Sequence, residues 1–144
     1  MSSSFKIFDI AGSGLSAQSV RLNTVASNLA NADSVSGDPS TVYKARHPVF
    51  QAIQQQLQGA SSLDNQSEAT VRVAGIVESQ AAPQMRYDPG NPLANAQGNV
   101  YAPNVNVIEE MTDMISASRA YQDNVEVMNT SKLPRAPIRT TWRS

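Results

Sequence analysis

The sequence lacks cysteine and is poor in large aromatic residues, with three phenylalanines and one tryptophan among 144 residues. The absence of cysteine excludes disulfide bonds and thiolate chemistry, and it leaves the redox compartment open. So few large aromatic side chains are a thin supply for a compact single core. The length accommodates one domain, or a small domain with extended arms.

Long apolar runs and an excess of one charge are missing as well. No run approaches the roughly 20 apolar residues of a transmembrane helix. The stretch MSSSFKIFDIAGSG lacks the continuous apolar segment of a secretory signal peptide. The net charge of −1 favours neither nucleic acid nor an anionic membrane as a partner. We therefore expect a protein that stays in the cytosol or leaves it by a route that ignores signal peptides.

Apolar residues near the N-terminus recur with the period of an amphipathic helix. Four of them lie seven residues apart and form a heptad-like stripe: Phe8, Leu15, Leu22 and Leu29. Val25 lies on the same face, and the polar Gln18 interrupts it. Gly12 and Gly14 weaken the first half by about 1 kcal/mol each relative to alanine. The pattern predicts a helix over about 5–31 that ends in the run NADS.

A second stripe near the C-terminus has residues four and three apart. Its members are Val107, Met111, Met114, Ser118, Tyr121, Val125 and Met128. Asn106 lies three residues before Glu109, which resembles a capping box with Asn in place of Ser or Thr. Pro134 disfavours helical backbone at Leu133. The predicted helix therefore ends near Lys132.

The segment between the two helices has strand and turn signals instead. The stretch YKARHPVFQAI favours a strand with Pro48 at an edge or a bend, and ATVRVAGIVESQ contains alternating valines. The polar run QQQLQGASSLDNQS has no period and predicts a flexible loop. The Pro-, Gly- and Asn-rich stretch that follows predicts a hairpin turned at 97–99, with Tyr87 and Tyr101 on its arms. This middle is expected to be a small, irregular β module.

The expected fold class is α+β. Two long helices of about 26 residues, ~39 Å each, are expected to form an antiparallel coiled-coil-like pair with the β module at its far end. Such a pair leaves most of each helix uncovered, although a helix gains most of its stability from packing its apolar face. Other subunits are therefore expected to cover the rest. The predicted divisions are a terminal-helix domain of 1–34 plus 105–132, a β-rich outer module of 35–104 and a disordered tail of 133–144.

Two long motifs carry a family resemblance. The segments RLNTVASNLANADS and YKARHPVF resemble the N-terminal motif of the bacterial flagellar rod and hook proteins. The segment YDPGNPLANAQGNVYAPNVNVIEEMTDMISASRAYQDNVEVMNTSK resembles the C-terminal half of the rod C branch of that family. The run NADS followed by Tyr43-Lys44 is similar to that branch, whereas the wider family has NANT and GYK. The resemblance covers 5–132 and is weakest across the glutamine-rich loop.

The resemblance implies a structural subunit rather than an enzyme. Family members are exported through the flagellar type III apparatus, without a cleaved signal peptide, and polymerise helically with other rod proteins in the periplasm. The implied location is therefore the proximal rod of the flagellar basal body, which transmits torque and encloses the export channel. The terminal helices would form the inner tube, with the β module outside. Other rod proteins and the export apparatus are the implied partners, with no nucleic acid or small-molecule substrate.

The residues expected to act in assembly are the seam positions of the two helices, which would bury apolar surface between the helices and against neighbouring subunits. They are Phe8, Leu15, Leu22, Val25, Leu29, Val107, Met111, Met114, Tyr121, Val125 and Met128. Ordinary core packing within one subunit is the alternative reading of these stripes. The polar motif residues Asn28, Asn31 and Asp33 are expected to form hydrogen bonds where the first helix ends. The family motif also includes Tyr43, Lys44, Pro103 and Asn104.

Candidate catalytic and metal-binding residues are few. His47 is the only histidine, and it stands beside Pro48 without a carboxylate cluster at ligand spacing. The acidic cluster of 109–113 opens the second helix, where negative charge stabilises the helix dipole. The Gly-Ser-Gly of 12–14 lacks the preceding strand and the following lysine of a phosphate loop. We therefore expect no catalytic, cofactor or metal site.

Two further points stay open at this level. The rival to a rod subunit is a soluble helical adaptor or export-cargo binding module with no polymer role. The ending LPRAPIRTTWRS departs from the family, whose members continue the helix, because two prolines interrupt it. A truncated or frameshifted reading frame and a specialised paralogue both explain this ending. Residues 132–144 include four basic residues and no acid, and the tail is expected to be disordered with Trp142 exposed.

Overall fold

The computed structural model describes residues 2–55 and 68–132. Its elements, in chain order, are α1 (Ser2–Ala30), β1 (Arg46–Gln55), β2 (Glu68–Glu78), β3 (Gln84–Tyr87), β4 (Asn99–Ala102) and α2 (Val107–Lys132). The α+β class with long terminal helices and a small β-rich middle is thereby confirmed. Most of the predicted flexible loop and the predicted disordered tail lie outside the described residues.

The two long helices run antiparallel. Asn28, near the C-terminal end of α1, bonds to Glu110 in the first turn of α2. Gly14, in the middle of α1, lies against Asn124, which is further along α2. The contacts therefore progress in opposite directions along the two chains, which confirms the predicted antiparallel pair. Within the described ranges, neither helix has the length and apolarity needed to cross a membrane.

Asparagine side chains cap the C-terminal end of α1 and the N-terminal end of α2. The Oδ1 atom of Asn106 accepts hydrogen bonds from the backbone N–H groups of Ile108 (3.1 Å) and Glu109 (3.4 Å), so the predicted N-cap of α2 is confirmed. At the end of α1, the Nδ2 atom of Asn31 donates to the carbonyl oxygen of Ser27 at 2.8 Å. These side chains satisfy backbone groups that have no partner within the helix.

Strands β1 and β2 form an antiparallel ribbon along α1. The register shifts between Val49 and Phe50, one residue after Pro48, which has no N–H to donate to the ladder. The backbone N–H of Val71 donates to the hydroxyl of Ser13 at 3.2 Å, which attaches β2 to α1. The ribbon therefore packs on α1 and leaves α2 uncovered on that side.

The predicted start of the polar loop at Gln54 was wrong. Gln54 pairs with Ala69 and Gln55 pairs with Glu68, so both glutamines belong to β1. The ladder extends into the polar run because its hydrogen bonds join backbone groups, whose pairing does not require apolar side chains.

Strands β3 and β4 form a second antiparallel pair, with Tyr87 and Tyr101 on its two arms as predicted. The connection was predicted to be a turn at 97–99, but it is the longer segment 88–98. Gly98 closes this segment with a φ of 78°, a left-handed conformation that favours glycine. Backbone bonds between Ser36 and Tyr101, 2.7 and 2.9 Å long, tie β4 to the chain that leaves α1.

The buried core consists mostly of small side chains. Its apolar members are Ala11, Ala17, Val25, Val42, Ala45, Val100, Val105 and Ala117. Many of the larger apolar residues of the helices are exposed instead, including Phe5, Ile108 and Ile115. A single chain therefore buries little of the apolar surface that its helices present.

Candidate assembly surface

The two helices meet along small and polar residues that recur every seven positions. The members are Gly14, Arg21 and Asn28 on α1, and Glu110, Ala117 and Asn124 on α2. Gly14 allows the closest approach, because a Cβ atom at this position would lie 3.0 Å from the side-chain amide of Asn124. The sequence analysis missed this seam, although its residues on α1 have the same seven-residue spacing as the leucines and each precedes a leucine by one position.

An ion pair crosses the seam near its centre. The guanidinium of Arg21 donates to the carboxylate of Asp113 at 2.6 Å, and both side chains are partly exposed. The contacts of Gly14 with Asn124 and of Asn28 with Glu110 place Arg21 level with Ala117, which is fully buried. A partly exposed pair contributes only about 0–1 kcal/mol. Its main effect is therefore to favour one register of the helices.

Asn28 is fully buried and holds three parts of the chain together. Its Nδ2 atom donates to Oε1 of Glu110 and to the carbonyl oxygen of Arg46, both at 2.9 Å. Its Oδ1 atom accepts from the N–H of Arg46 and from the hydroxyl of Tyr43, both at 2.9 Å. The two donor and two acceptor positions of the amide are thus all used. This junction joins α1, the start of β1 and α2.

Glu110 is a buried carboxylate whose cross-helix partner is Asn28. It lies in the first turn of α2, where the positive end of the helix dipole favours negative charge. The sequence explained the acidic cluster by this dipole alone. The structure adds cross-helix partners for two of its members, since Asp113 bonds to Arg21.

Asn104 forms a second junction on the same side of the chain. Its Oδ1 atom accepts from the N–H of Ala45 at 2.8 Å, and its Nδ2 atom donates to the carbonyl oxygen of Ala81 at 2.8 Å. Pro103 beside it is fully buried. The structure therefore brings motif residues from both halves of the chain together around Ala45 and its neighbour Arg46.

Two other motif residues lie outside these junctions. Asp33 was predicted to form a hydrogen bond at the end of α1, but its exposed side chain makes none in the described part of the chain. The turn is closed instead by Ser34, whose N–H and hydroxyl both donate to the carbonyl oxygen of Asn31. Lys44 is half-buried.

The leucine stripe of α1 lies beside the helix contact rather than within it. Leu15, Leu22 and Leu29 each follow a contact residue by one position, which is about 100° round the helix. All three are half-buried, as is Phe8, whereas Val25 is buried.

The stripe of α2 has the same relation to its own contact residues. Met111, Ser118 and Val125 follow Glu110, Ala117 and Asn124 by one position. Each stripe is reached from the contact residues by one step toward the C-terminus of its helix. Because the helices are antiparallel, this step leads to the same side of the pair on both helices. Ser13, which bonds to the ribbon, precedes its contact residue Gly14 by one position. The ribbon therefore lies on the opposite side.

We call the combined surface the helix-pair face. It consists of Phe8, Leu15, Leu22, Leu29, Val107, Met111, Met114, Ser118, Tyr121, Val125 and Met128. None of these residues is charged, and Met111 leaves 51% of its surface exposed. Uncharged surfaces that stay partly exposed in this way are typical of protein interaction sites.

Gln18 lies at the edge of this face. Its Oε1 atom is buried and has no hydrogen-bond partner among the described residues. An unpaired buried acceptor of this kind costs about 1–3 kcal/mol. The polar interruption seen in the sequence is therefore a weak point of the helix pair.

In the described ranges, no three His, Asp or Glu side chains lie close enough together to bind a metal ion. His47 is exposed on β1, where it pairs across the ribbon with Val77.

Comparisons with known proteins match both ends of the chain. The family model for flagella basal body rod proteins matches 8–37, and that for the C-terminal part of flagellar basal body rod FlgEFG proteins matches 96–132. The flagellar basal-body rod protein FlgC of Salmonella typhimurium is 52% identical over 126 residues, which is 88% of each chain. That of Yersinia enterocolitica is 53% identical over the same share of both chains. That of Aquifex aeolicus is 40% identical over 128 residues, 89% of each chain.

Proposed function

Since the chain belongs to the family of flagellar basal-body rod proteins FlgC and is a structural subunit of that rod, we propose that it assembles with other rod components through the helix-pair face. The observation that supports this proposal is the position of the two apolar stripes. They lie side by side on one uncharged surface that the described part of the chain leaves only partly covered. The similarity over nearly the whole chain favours this role over that of a soluble adaptor.

The dimensions of the helix-pair face suit a stable protein interface. The α2 helix has 26 residues, so the face is ~39 Å long at 1.5 Å per residue. Two helices whose axes lie 8–10 Å apart make it roughly 20 Å wide. The resulting area, on the order of 800 Å² on one partner, is that of a standard protein interface.

We also propose that the helices form the inner part of the rod, around an export channel, and that the strands form its outer part. The terminal-helix domain would comprise 1–34 plus 105–132, and the outer module 35–104. The ribbon lies on the side of the pair opposite to the helix-pair face, which supports this division. The junction at Asn28 joins the two parts through an amide whose hydrogen-bonding positions are all used. Such a rigid connection would transmit torque between the two parts.

The route to the rod is part of the same proposal. The subunit would pass through the flagellar export apparatus without a cleaved signal peptide and assemble in the periplasm. Its core of small side chains supports this route, because little buried apolar area must be exposed to unfold it. The absence of cysteine means that no disulfide has to form after export.

The helix-pair face is tested by changing one leucine on it and one elsewhere. In a strain whose only copy of the gene carries Leu22→Asp, we expect no complete basal bodies and no swimming, since the change places a charge within the apolar surface. Leu93→Asp is the matched control, because Leu93 is exposed in the segment between β3 and β4. Circular dichroism of both purified variants shows whether the helices persist. Normal swimming with Leu22→Asp would refute the assignment of this face.

A further inference from the structure

We propose that Met111 is a site of reversible oxidation that controls whether a free subunit can assemble. The inference rests on the proposed assembly role, because it concerns the regulation of the helix-pair face. The oxidant would be hydrogen peroxide or another donor of a single oxygen atom, and the product would be methionine sulfoxide.

The sulfur atoms of this chain are concentrated on the helix-pair face. The chain has five methionines and no cysteine, so no thiol competes with methionine for an oxidant. Three of the five are members of the face: Met111, Met114 and Met128. Of the other two, Met85 lies on β3 and Met1 lies outside the described residues. Most of the sulfur atoms therefore lie on the surface proposed for assembly.

Met111 is the most accessible of the three methionines on the face. It is 51% exposed, whereas Met114 and Met128 are less exposed. The rate of methionine oxidation follows exposure to the solvent. In the assembled rod a neighbouring subunit would cover the helix-pair face. Peroxide would therefore reach Met111 in the free subunit and not in the assembled one.

The reaction transfers one oxygen atom to the Sδ atom of Met111. A lone pair of the sulfur attacks one peroxide oxygen, the O–O bond breaks, and the second oxygen leaves with both hydrogens as water. The sulfur is oxidised by two electrons, the peroxide is reduced by two electrons, and the side chain stays uncharged. Methionine sulfoxide reductases reverse the change, so an oxidised subunit can be recovered.

The sulfoxide would block assembly without unfolding the subunit. In the single chain its oxygen can face water, because Met111 is exposed. In a covered face the oxygen would lie beside Val107 and Met114, which are neighbours of Met111 along α2 and have no side-chain donor. A polar group that is buried without a partner should weaken the contact by about tenfold.

Peptide mass spectrometry of the purified full chain, treated with hydrogen peroxide, tests the reactivity. The sulfoxide of Met111 should form at least about three times faster than that of Met114. Met85, which is 64% exposed, provides the rate at an exposed methionine outside the face. Circular dichroism of the oxidised chain should show unchanged helices. In isolated basal bodies Met111 should be protected from the same treatment.

Two substitutions of Met111 test the effect on assembly, each as the only copy of the gene in a strain. Met111→Gln places a polar group on the face permanently and should lower the number of complete basal bodies per cell. Met111→Leu keeps the size and apolar character of the side chain and should assemble like the wild type. Met85→Gln is the matched control for a polar change at an exposed methionine.

Peroxide treatment of the cells separates oxidation from other effects of the substitution. When rod synthesis is induced in the presence of hydrogen peroxide, the Met111→Leu strain should form more basal bodies than the wild type. Every other protein in the two strains meets the same oxidant, so the difference reports on Met111 alone.

Four results would each overturn the proposal. They are a Met111 that does not react in the free chain, a Met111 that reacts equally fast in basal bodies, normal assembly with Met111→Gln, and no advantage of Met111→Leu under peroxide. The rod role itself is judged separately by the swimming of the Leu22→Asp strain. Loss of swimming with Leu22→Asp, together with normal assembly of Met111→Gln, would remove only the oxidation proposal.

Discussion

The Nδ2 atom of Asn28 donates a hydrogen bond to Oε1 of Glu110 across 2.9 Å, inside the contact between the two terminal helices. Both side chains are buried. The amide of Asn28 donates one hydrogen bond to Glu110 and another to the carbonyl oxygen of Arg46, and it accepts a third from the N–H of Arg46. A carboxylate could only accept, so the identity of this residue matters beyond its size.

Asn28→Asp should destabilise the protein by at least about 3 kcal/mol, because it places a second carboxylate against Glu110 in a buried site. Urea unfolding followed by circular dichroism measures the loss. Adding Glu110→Gln to this variant should recover part of it, since the glutamine amide can donate to the new carboxylate. A double variant as unstable as Asn28→Asp would show that the Glu110 contact is not the cause.

Gly12 and Gly14 should respond differently to alanine, although both lie in α1. A Cβ atom at Gly12 meets nothing within 4 Å, so Gly12→Ala should stabilise the protein by about 1 kcal/mol through helix propensity. At Gly14 the Cβ atom would lie 3.0 Å from Asn124, whose side chain must move. Gly14→Ala should therefore gain less than Gly12→Ala in thermal unfolding. An equal gain would mean that the helices are not in close contact at Gly14.

Gln18→Leu should raise the free energy of unfolding by about 1 kcal/mol or more, because it removes a buried oxygen that has no partner. Thermal unfolding at low protein concentration measures the monomer. Ser19→Leu is the control, since Ser19 is exposed on the same helix and should change stability little. A loss of stability in Gln18→Leu would indicate that the glutamine has a partner in solution.

Ser40 should govern the ionisation of Asp38. The hydroxyl and the N–H of Ser40 both donate to Asp38 at 2.7 Å, and they hold the pKa of its carboxyl below the ordinary value of 3.8. The resulting stabilisation is present above that ordinary value and is lost as the pH falls through the lowered pKa. Ser40→Ala should raise the pKa of Asp38 in an NMR titration, while the backbone bond keeps part of the shift. An unchanged pKa would contradict this account.

The sequence alone was sufficient for the elements whose causes are local. The seven-residue spacing of the leucines predicts α1, and Asn106 marks the start of α2 through bonds to residues two and three positions ahead. The motifs at both ends also identified the family before any contact was known. The start of the polar loop at Gln54 and the turn at 97–99 were misplaced, because strand pairing with distant residues decides both.

Only the tertiary structure decided which side of each helix faces the other. Periodicity shows that a helix has an apolar stripe, but it does not give the rotation of that helix against its partner. That rotation depends on pairs such as Asn28 and Glu110, which are 82 residues apart, and on the close approach that Gly14 permits. Small and polar residues therefore lie in the seam, where the polar side chains form hydrogen bonds with each other and the small ones allow the helices to approach closely. The leucines, which the sequence assigned to the seam, thereby lie beside it and stay half-buried, while Met111 of α2 is exposed.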